Sequence, residues 1–236
     1  MMRFDLQDIE TAIDKAGTGI VPVACMINKE LNLNNIDWFI VGGFVRDYVL
    51  DTLTNTKNIS KDIDIVLSKN VDFKNNSNVL CQNKNSLGGT KIETEKFGTI
   101  DIFQQHVACP DTIIGDIFDF NCNSLYYSYK QKQVFASAYF YNFVGNNTLN
   151  FVRCIYIKSG IKTIYPEHVM ISRALKFKIM FNEKYNMDIK LSNDILYVLY
   201  HMDKSMEQQM IEYTKIKVKS EQIQLKIFQE YERLRK

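Results

Sequence analysis

Trp38-Phe39-Ile40-Val41 is apolar at four consecutive positions and stops at two glycines, Gly42-Gly43. A run of this kind has no polar face to offer water, so the strand it forms must be covered on both sides. That requirement points to a layered domain of strands and helices. Phe44 to Leu50 reads as the helix that follows, and Ile63-Asp64-Ile65-Val66-Leu67 and Thr99 to Phe103 read as further strands. Lys69 to Asn78 is polar enough for a loop, and Gly88-Gly89 marks a turn. Upstream, Leu6, Ile9 and Ile13 predict a short helix from Asp5 to Ala16, punctuated by Gly17 and Gly19. A second helix is expected from Pro22, a favourable first helical residue, to about Leu31. Tyr126 to Phe143 is aromatic and suits a hairpin or irregular strands, and Phe151 to Ile157 suits one more strand.

After Tyr165-Pro166 the period changes. Met170, Ala174, Phe177 and Phe181 form a helical stripe, Leu191 to Met202 predicts another helix, and Ser205 to Lys236, free of Gly and Pro, predicts one or two more. The order is mixed first and all-helical second.

The 236 residues are 46% hydrophobic and 24% charged, which excludes a disordered or collagen-like chain. No apolar run approaches the ~18 residues that cross a bilayer. Met1 to Asp5 lacks the apolar region of a signal peptide, which argues against secretion. The five cysteines are widely spaced with no CxxC pair, so neither a disulfide framework nor a zinc site is indicated, and a reducing cytoplasm fits. Residues 1–152 carry 13 Lys and Arg against 17 Asp and Glu, a balance of −4; residues 153–236 carry 16 against 10, a balance of +6. An acidic first part suits a metal site, and a basic last part suits an anionic polymer or, more plainly, solvated helix faces.

Four pieces carry chemistry. Val41-Gly42-Gly43-Phe44-Val45-Arg46-Asp47 is a strand, a glycine turn and a helix start, where backbone N–H groups can approach a phosphate; such turns also arise for steric reasons alone. In Lys61-Asp62-Ile63-Asp64-Ile65, alternation puts Asp62 and Asp64 on one face. Two adjacent carboxylates repel unless solvent or a hard cation such as Mg2+ separates them. Asp101 stands alone in the apolar strand Gly98 to Phe103 and needs a partner if buried. Were that strand to pair beside Asp62 and Asp64, three carboxylates would converge as in two-metal phosphoryl-transfer sites. In Asp119-Phe120-Asn121-Cys122-Asn123, short polar side chains alternate with apolar ones and could cap a helix or bind ribose hydroxyls.

In this order, GGFVRD, DID, IDIF, DFNCNSLYY and RALKF, from about Trp38 to Phe181, resemble the head and early neck of the tRNA nucleotidyltransferase (CCA-adding enzyme) and bacterial poly(A) polymerase family. That family lies within the polymerase β-like nucleotidyltransferase superfamily. The resemblance implies an α+β fold: a catalytic head with a mixed five-stranded sheet over residues 1–160, then a helical neck and C-terminal helices over 161–236. It implies that Asp62, Asp64 and Asp101 are the catalytic, metal-holding residues of a two-metal Mg2+ site. Gly42 and Gly43 would cradle the triphosphate, Arg46 and Asp47 would support that loop or touch the nucleotide, and Asp119 and Asn123 would sit near the ribose.

The chain also departs from the family. The two arginines expected before Asp119 are Ile117 and Phe118. Setting Arg173-Ala174-Leu175-Lys176-Phe177 on the family's R-A-x-R-F places Pro166-Glu167-His168-Val169-Met170 on its E-D-x-x-R template, so Met170 replaces the template arginine. Glu167, His168 and Arg173 remain as candidates for base contact, and the body and tail that measure tRNA would be short or missing. Arg153, Lys176, Lys184, Lys190, Lys215 and Lys219 are candidate RNA contacts. His106 follows the Asp101 strand and could reach the site. The expected activity is transfer of a nucleotide from an NTP, ATP or CTP, to an RNA 3′ end, with tRNA or a tRNA fragment as acceptor, without a complete CCA template. Two alternatives stand beside it: transfer to a protein or small molecule, of the AMP-transfer type, and a catalytically inactive nucleic-acid-binding module.

Overall fold

The computed structural model describes residues 4–58, 62–84, 89–104, 118–152, 154–157, 160–163 and 165–236. Two compact units emerge, one of Phe4–Phe118 with Cys122–Tyr141, the other of Asp119–Asn121 with Asn142–Lys236.

The first unit is organised by a seven-stranded mixed sheet of order β3-β4-β5-β2-β1-β6-β7. Its strands are β1 (Trp38–Val41), β2 (Ile63–Leu67), β3 (Val79–Lys84), β4 (Thr90–Thr94), β5 (Gly98–Gln104), β6 (Leu125–Ser128) and β7 (Gln133–Ala136). The expected count of five is corrected to seven. Val79-Leu80-Cys81-Gln82-Asn83-Lys84 forms an exposed strand beside β4 at one end of the sheet, where a strand needs no apolar alternation. β1 is buried along its whole length, as its composition requires. It pairs antiparallel with β2 and with β6, while β2 and β5 run parallel.

The two faces of the sheet differ. Trp38, Ile40, Ile63, Ile65, Leu67, Ile100, Ile102 and Tyr127 lie on the buried, helix-covered side. Helices α1 (Leu6–Leu31) and α2 (Gly43–Thr54) pack on each other and on the sheet, and the Trp38 indole N–H donates to Asn28 Oδ1 of α1 at 3.1 Å. The opposite face carries Phe39, Val41, Val66, Phe103, Tyr126 and Phe135, packed with Phe118 as a second apolar cluster.

Where two helices were expected before β1, the structure has one of 26 residues, with Pro22 inside it. It starts at a capping box in which Asp5 and Asp8 satisfy each other's backbone N–H groups. A Cβ on Gly17 would lie 3.4 Å from the Val134 backbone nitrogen, so the helix uses that glycine to approach β7 closely. A helical glycine costs about 1 kcal/mol, less than the ~1.5–3 kcal/mol returned by burying one large apolar side chain. α1 buries Ile9, Ile13, Ile20, Ile27 and Leu31, so packing overrides the local break signals. The aromatic stretch 126–143 is corrected as well: it becomes the β6–β7 hairpin followed by α3 (Ala138–Asn146).

In the second unit, α4 (Glu167–Tyr185) supplies the core, with Met170, Ile171, Ala174, Leu175 and Phe181 buried. Rings run through it from Phe151 to Phe120, Phe177 and Phe181 at centroid spacings of 5.6, 5.4 and 5.8 Å. Short pairs β8 (Thr148–Leu149) with β11 (Lys190–Leu191) and β9 (Cys154–Ile157) with β10 (Gly160–Thr163) flank it. The strand expected over Phe151 to Ile157 is therefore split, Phe151 making only an isolated bridge to Phe120. Three helices follow: α5 (Asn193–His201), α6 (Lys204–Lys217) and α7 (Glu221–Arg235). Each is capped by a side-chain oxygen, from Ser192, Asp203 and Ser220. No described helix is long and apolar enough to cross a membrane.

Candidate active site

Asp64 of β2 and Asp101 of β5 are register partners in the parallel pair, which places their Cα atoms about 4.8 Å apart on one face of the sheet. They occupy one rung across the whole sheet: Asn83, Lys91, Asp101, Asp64, Val41, Tyr126 and Phe135. Two acids thus lie between a lysine and the apolar cluster. Asp62 lies just before β2 and is exposed, while Asp64 and Asp101 are half-buried. Among the described residues, no group of three or more His, Cys, Asp or Glu side chains forms a closed metal cluster. The donor set itself is hard carboxylate oxygen, the chemistry Mg2+ takes.

The turn after β1 is fitted to Asp64. Gly42 has φ +73°, and a Cβ there would meet Asp64 Oδ2 at 2.9 Å. The φ makes any side chain strained there, and a Cβ would oblige the Asp64 carboxylate to shift. α2 then starts at Gly43 with no side-chain cap and no acid in its first turn. A helix start of this kind presents leading N–H groups and a positive dipole end, which favour negative charge.

Arg46 and Asp47 brace this turn from inside. Both are buried; Arg46 Nε and Nη2 reach Asp47 Oδ1 at 2.8 and 2.7 Å, and Nη1 donates to Asn123 Oδ1 at 2.7 Å. Asn123, expected near a ribose, thus ties the segment before β6 to α2. Asp119, also buried, pairs with Arg173 Nη2 at 2.6 Å. Between them Asn121 clasps the chain at Thr148 and Asn150: its amide donates to Thr148 O at 2.8 Å and its Oδ1 accepts from Asn150 N at 2.9 Å.

Glu167 and His168 sit half-buried at the start of α4, and Met170 is fully buried. The His168 ring lies 6.3 Å from Tyr213 in an edge arrangement. Burial pushes the Tyr213 phenol above its ordinary pKa, with Arg173 pulling the other way. Lys176, Lys190, Lys215 and Lys219 are exposed and Lys184 is half-buried. Lys219 lies beyond the end of α6, in the link to α7. Arg153 and His106 lie outside the described residues. Two residues passed over in the sequence enter here: Lys91, whose place beside Asp101 depends on strand pairing, and Tyr213, whose place beside α4 depends on helix packing. No local signal marks either.

No protein-family model and no curated protein sequence matches the chain. Solved structures do. A CCA-adding enzyme in complex with ATP superposes with a TM-score of 0.56 at 17% identity, over 99% of this chain and 55% of that one. A tRNA-processing enzyme in an apo form gives 0.59 at 16% identity, over 92% and 57%. The Thermotoga maritima CCA-adding enzyme complexed with tRNA gives 0.53 at 16% identity, over 98% and 55%. The chain spans little more than half the length of these proteins. Over nearly its whole length, then, the chain has the fold of the CCA-adding and tRNA-processing enzymes, as the order of its motifs predicts.

Proposed function

We propose that the protein is a nucleotidyltransferase that transfers a nucleotide from an NTP to the 3′ end of an RNA, with tRNA or a tRNA fragment as acceptor. The observation that carries this reading is the Asp64–Asp101 register pair set against the side-chain-free turn at Gly42. The fold shared with enzymes solved with ATP and with tRNA supports it.

In the proposed reaction the RNA 3′-hydroxyl gives its proton to solvent and attacks the α-phosphorus, a P–O bond forms, and pyrophosphate leaves with the electrons of the broken P–O bond. Gly42 and Gly43 let backbone N–H groups reach the triphosphate, and the α2 N-terminus favours its charge. Arg46, Asp47 and Asn123 hold the turn from beneath, so its geometry is in place before substrate arrives. Asp62, Asp64 and Asp101 would hold Mg2+, which when bound neutralises phosphate charge and makes the hydroxyl a better nucleophile.

Base choice follows from α4. Met170, buried where the family carries its template arginine, has no hydrogen-bond donor. Selection therefore rests on packing and at most one hydrogen bond from Glu167 or His168, which discriminates bases less sharply than a full donor–acceptor pair. One NTP should be favoured modestly, without ordered addition of C, C and A.

The test is incubation of purified protein with each labelled NTP, Mg2+ and total RNA, with an RNA-free control for self-labelling. Label on RNA is expected. Label on protein or a small molecule would move the acceptor out of RNA, and RNA binding with no label anywhere would leave a binding module. Ordered C-C-A addition to a trimmed tRNA would overturn the account of Met170.

A further inference from the structure

The sheet face that carries Asp64 and Asp101 has two unlike halves. Toward β1 and beyond, the rung continues through Val41, Tyr126 and Phe135, which belong to the apolar cluster around Phe118. Toward β4 it continues through Lys91 to Asn83 at the edge of the sheet. Register partners share a face, so Lys91 stands on the same side as Asp101. Lys91 is half-buried and makes no ion pair among the described residues. Beyond it, the β3 side chains from Leu80 to Lys84 are exposed. One half of the face is thus closed by apolar packing, and the other is open and carries a cation.

In-line displacement decides which half serves which reactant. The attacking oxygen and the departing pyrophosphate lie on opposite sides of the α-phosphorus. The Gly42 turn and the start of α2 follow β1, so they suit the pyrophosphate side. The attacking hydroxyl then enters from the other side of the carboxylates, that of β5 and β4. Lys91 lies one strand from Asp101 but three from Val41, about 14 Å at ~4.8 Å per strand. There its ammonium meets whatever precedes the attacking hydroxyl. In a polynucleotide that group is the phosphodiester joining the last two nucleotides, an anion one sugar away from the 3′-oxygen. The exposed β3 edge leaves a path for the rest of the strand, where the apolar half leaves none.

We propose that Lys91 is an acceptor-binding residue, which holds the last phosphodiester of the acceptor strand and so sets its 3′-hydroxyl beside Asp101. This deepens the function proposed above and rests on it for the direction of attack. Glu93, the next residue of β4 on this face, opposes Thr99, is exposed and forms no ion pair with Lys91, so the lysine is left to an outside anion. Its charge also acts on the NTP, but across a longer distance, so the effect there is smaller.

The experiment measures binding of a fluorescent RNA hexamer to the full chain with Mg2+ present. The hexamer ends in a 3′-deoxy sugar, so nothing is added to it while binding is read. A second hexamer carries an uncharged methylphosphonate in place of its last phosphodiester. In the parent, that replacement is expected to weaken binding about tenfold and to lower the salt slope by about 0.7. Lys91→Gln keeps most of the aliphatic stem and breaks no ion pair among the described residues, so it should fold as the parent does. It should bind both hexamers alike, at the weaker value. Lys91→Arg should behave as the parent, and so should Lys96→Gln, which removes a cation from the exposed turn between β4 and β5. An equal loss on neutralising the linkage in the parent and in Lys91→Gln, or no loss in the parent, would overturn the proposal. Coupling of Lys91 to an internal linkage instead of the last would do the same. Label transfer to RNA in the parent separates the two claims. Transfer without the coupling sinks the acceptor contact alone; the coupling without transfer sinks the proposed reaction alone.

Discussion

Asp64 and Asp101 stand directly opposite each other on neighbouring parallel strands, and the turn at Gly42 lies against the Asp64 carboxylate. Like charges so placed repel, and a divalent cation relieves that repulsion. Asp64→Asn is therefore expected to lower nucleotide transfer more than about 100-fold while changing stability by less than about 1 kcal/mol. Single-turnover transfer and urea unfolding on the same preparation check both halves. A fully active, equally stable variant would take Asp64 out of the catalytic set.

Lys91 is the register partner of Asp101 on its other side. If the carboxylates hold a cation, a lysine there would compete with it for them and would attract phosphate. Lys91→Gln is expected to lower the Mg2+ concentration for half-maximal transfer several-fold and to raise the KM for NTP by a similar factor. A purely structural lysine would shift neither.

Gly42 is strained by any side chain where it is. With φ +73° and ψ −143° it occupies a region almost reserved for glycine, and a Cβ would press on Asp64 Oδ2. Gly42→Ala is expected to cost about 1–3 kcal/mol of stability and most of the activity, whereas Ala at Gly145, where a Cβ meets nothing within 4 Å, should leave transfer unchanged. Thermal melts with parallel transfer assays distinguish the two.

The Arg46–Asp47 pair is buried, so removing one member strands the other's charge. Arg46→Met is expected to destabilise by about 3–5 kcal/mol, and the double variant Arg46→Met with Asp47→Leu should recover much of that loss. A double-mutant cycle by denaturant unfolding gives the coupling directly.

Tyr127 is buried on the helix-covered face, its hydroxyl without a hydrogen-bond partner among the described residues, and burial pushes its pKa up to about 12. A phenol whose folded pKa lies above its unfolded value of about 10 lends stability that is intact below pH 10 and is lost as pH climbs toward 12. Tyr127→Phe should thus be no less stable at pH 7 and should lose stability less steeply between pH 10 and 12. Unfolding midpoints across that range measure it.

Local pattern was enough to single out the pieces of the candidate site. Period-two alternation around Ile63 put Asp62 and Asp64 on one face before any pairing was known, and the strand–glycine–helix order located the turn at Gly42 because both signals lie within a few residues. The same local rules failed in α1, where Gly17 and Pro22 read as breaks, because the apolar surface that α1 buries outweighs them. They also missed β3, whose side chains are mostly exposed and have no hydrophobic reason to alternate.

Which residues meet across the chain was decided by tertiary structure alone. Asp101 reaches Asp64 only because β2 and β5 pair in parallel, in one of several registers their apolar patterns would allow. Arg46 meets Asn123 from 77 residues away, and Arg173 meets Asp119, because burying a charge demands a partner that sequence distance does not restrict. Composition and periodicity determined which residues could do chemistry and which faces had to be covered. Strand register and helix packing chose the neighbours, since pairing energies depend on three-dimensional contacts that no window along the chain contains.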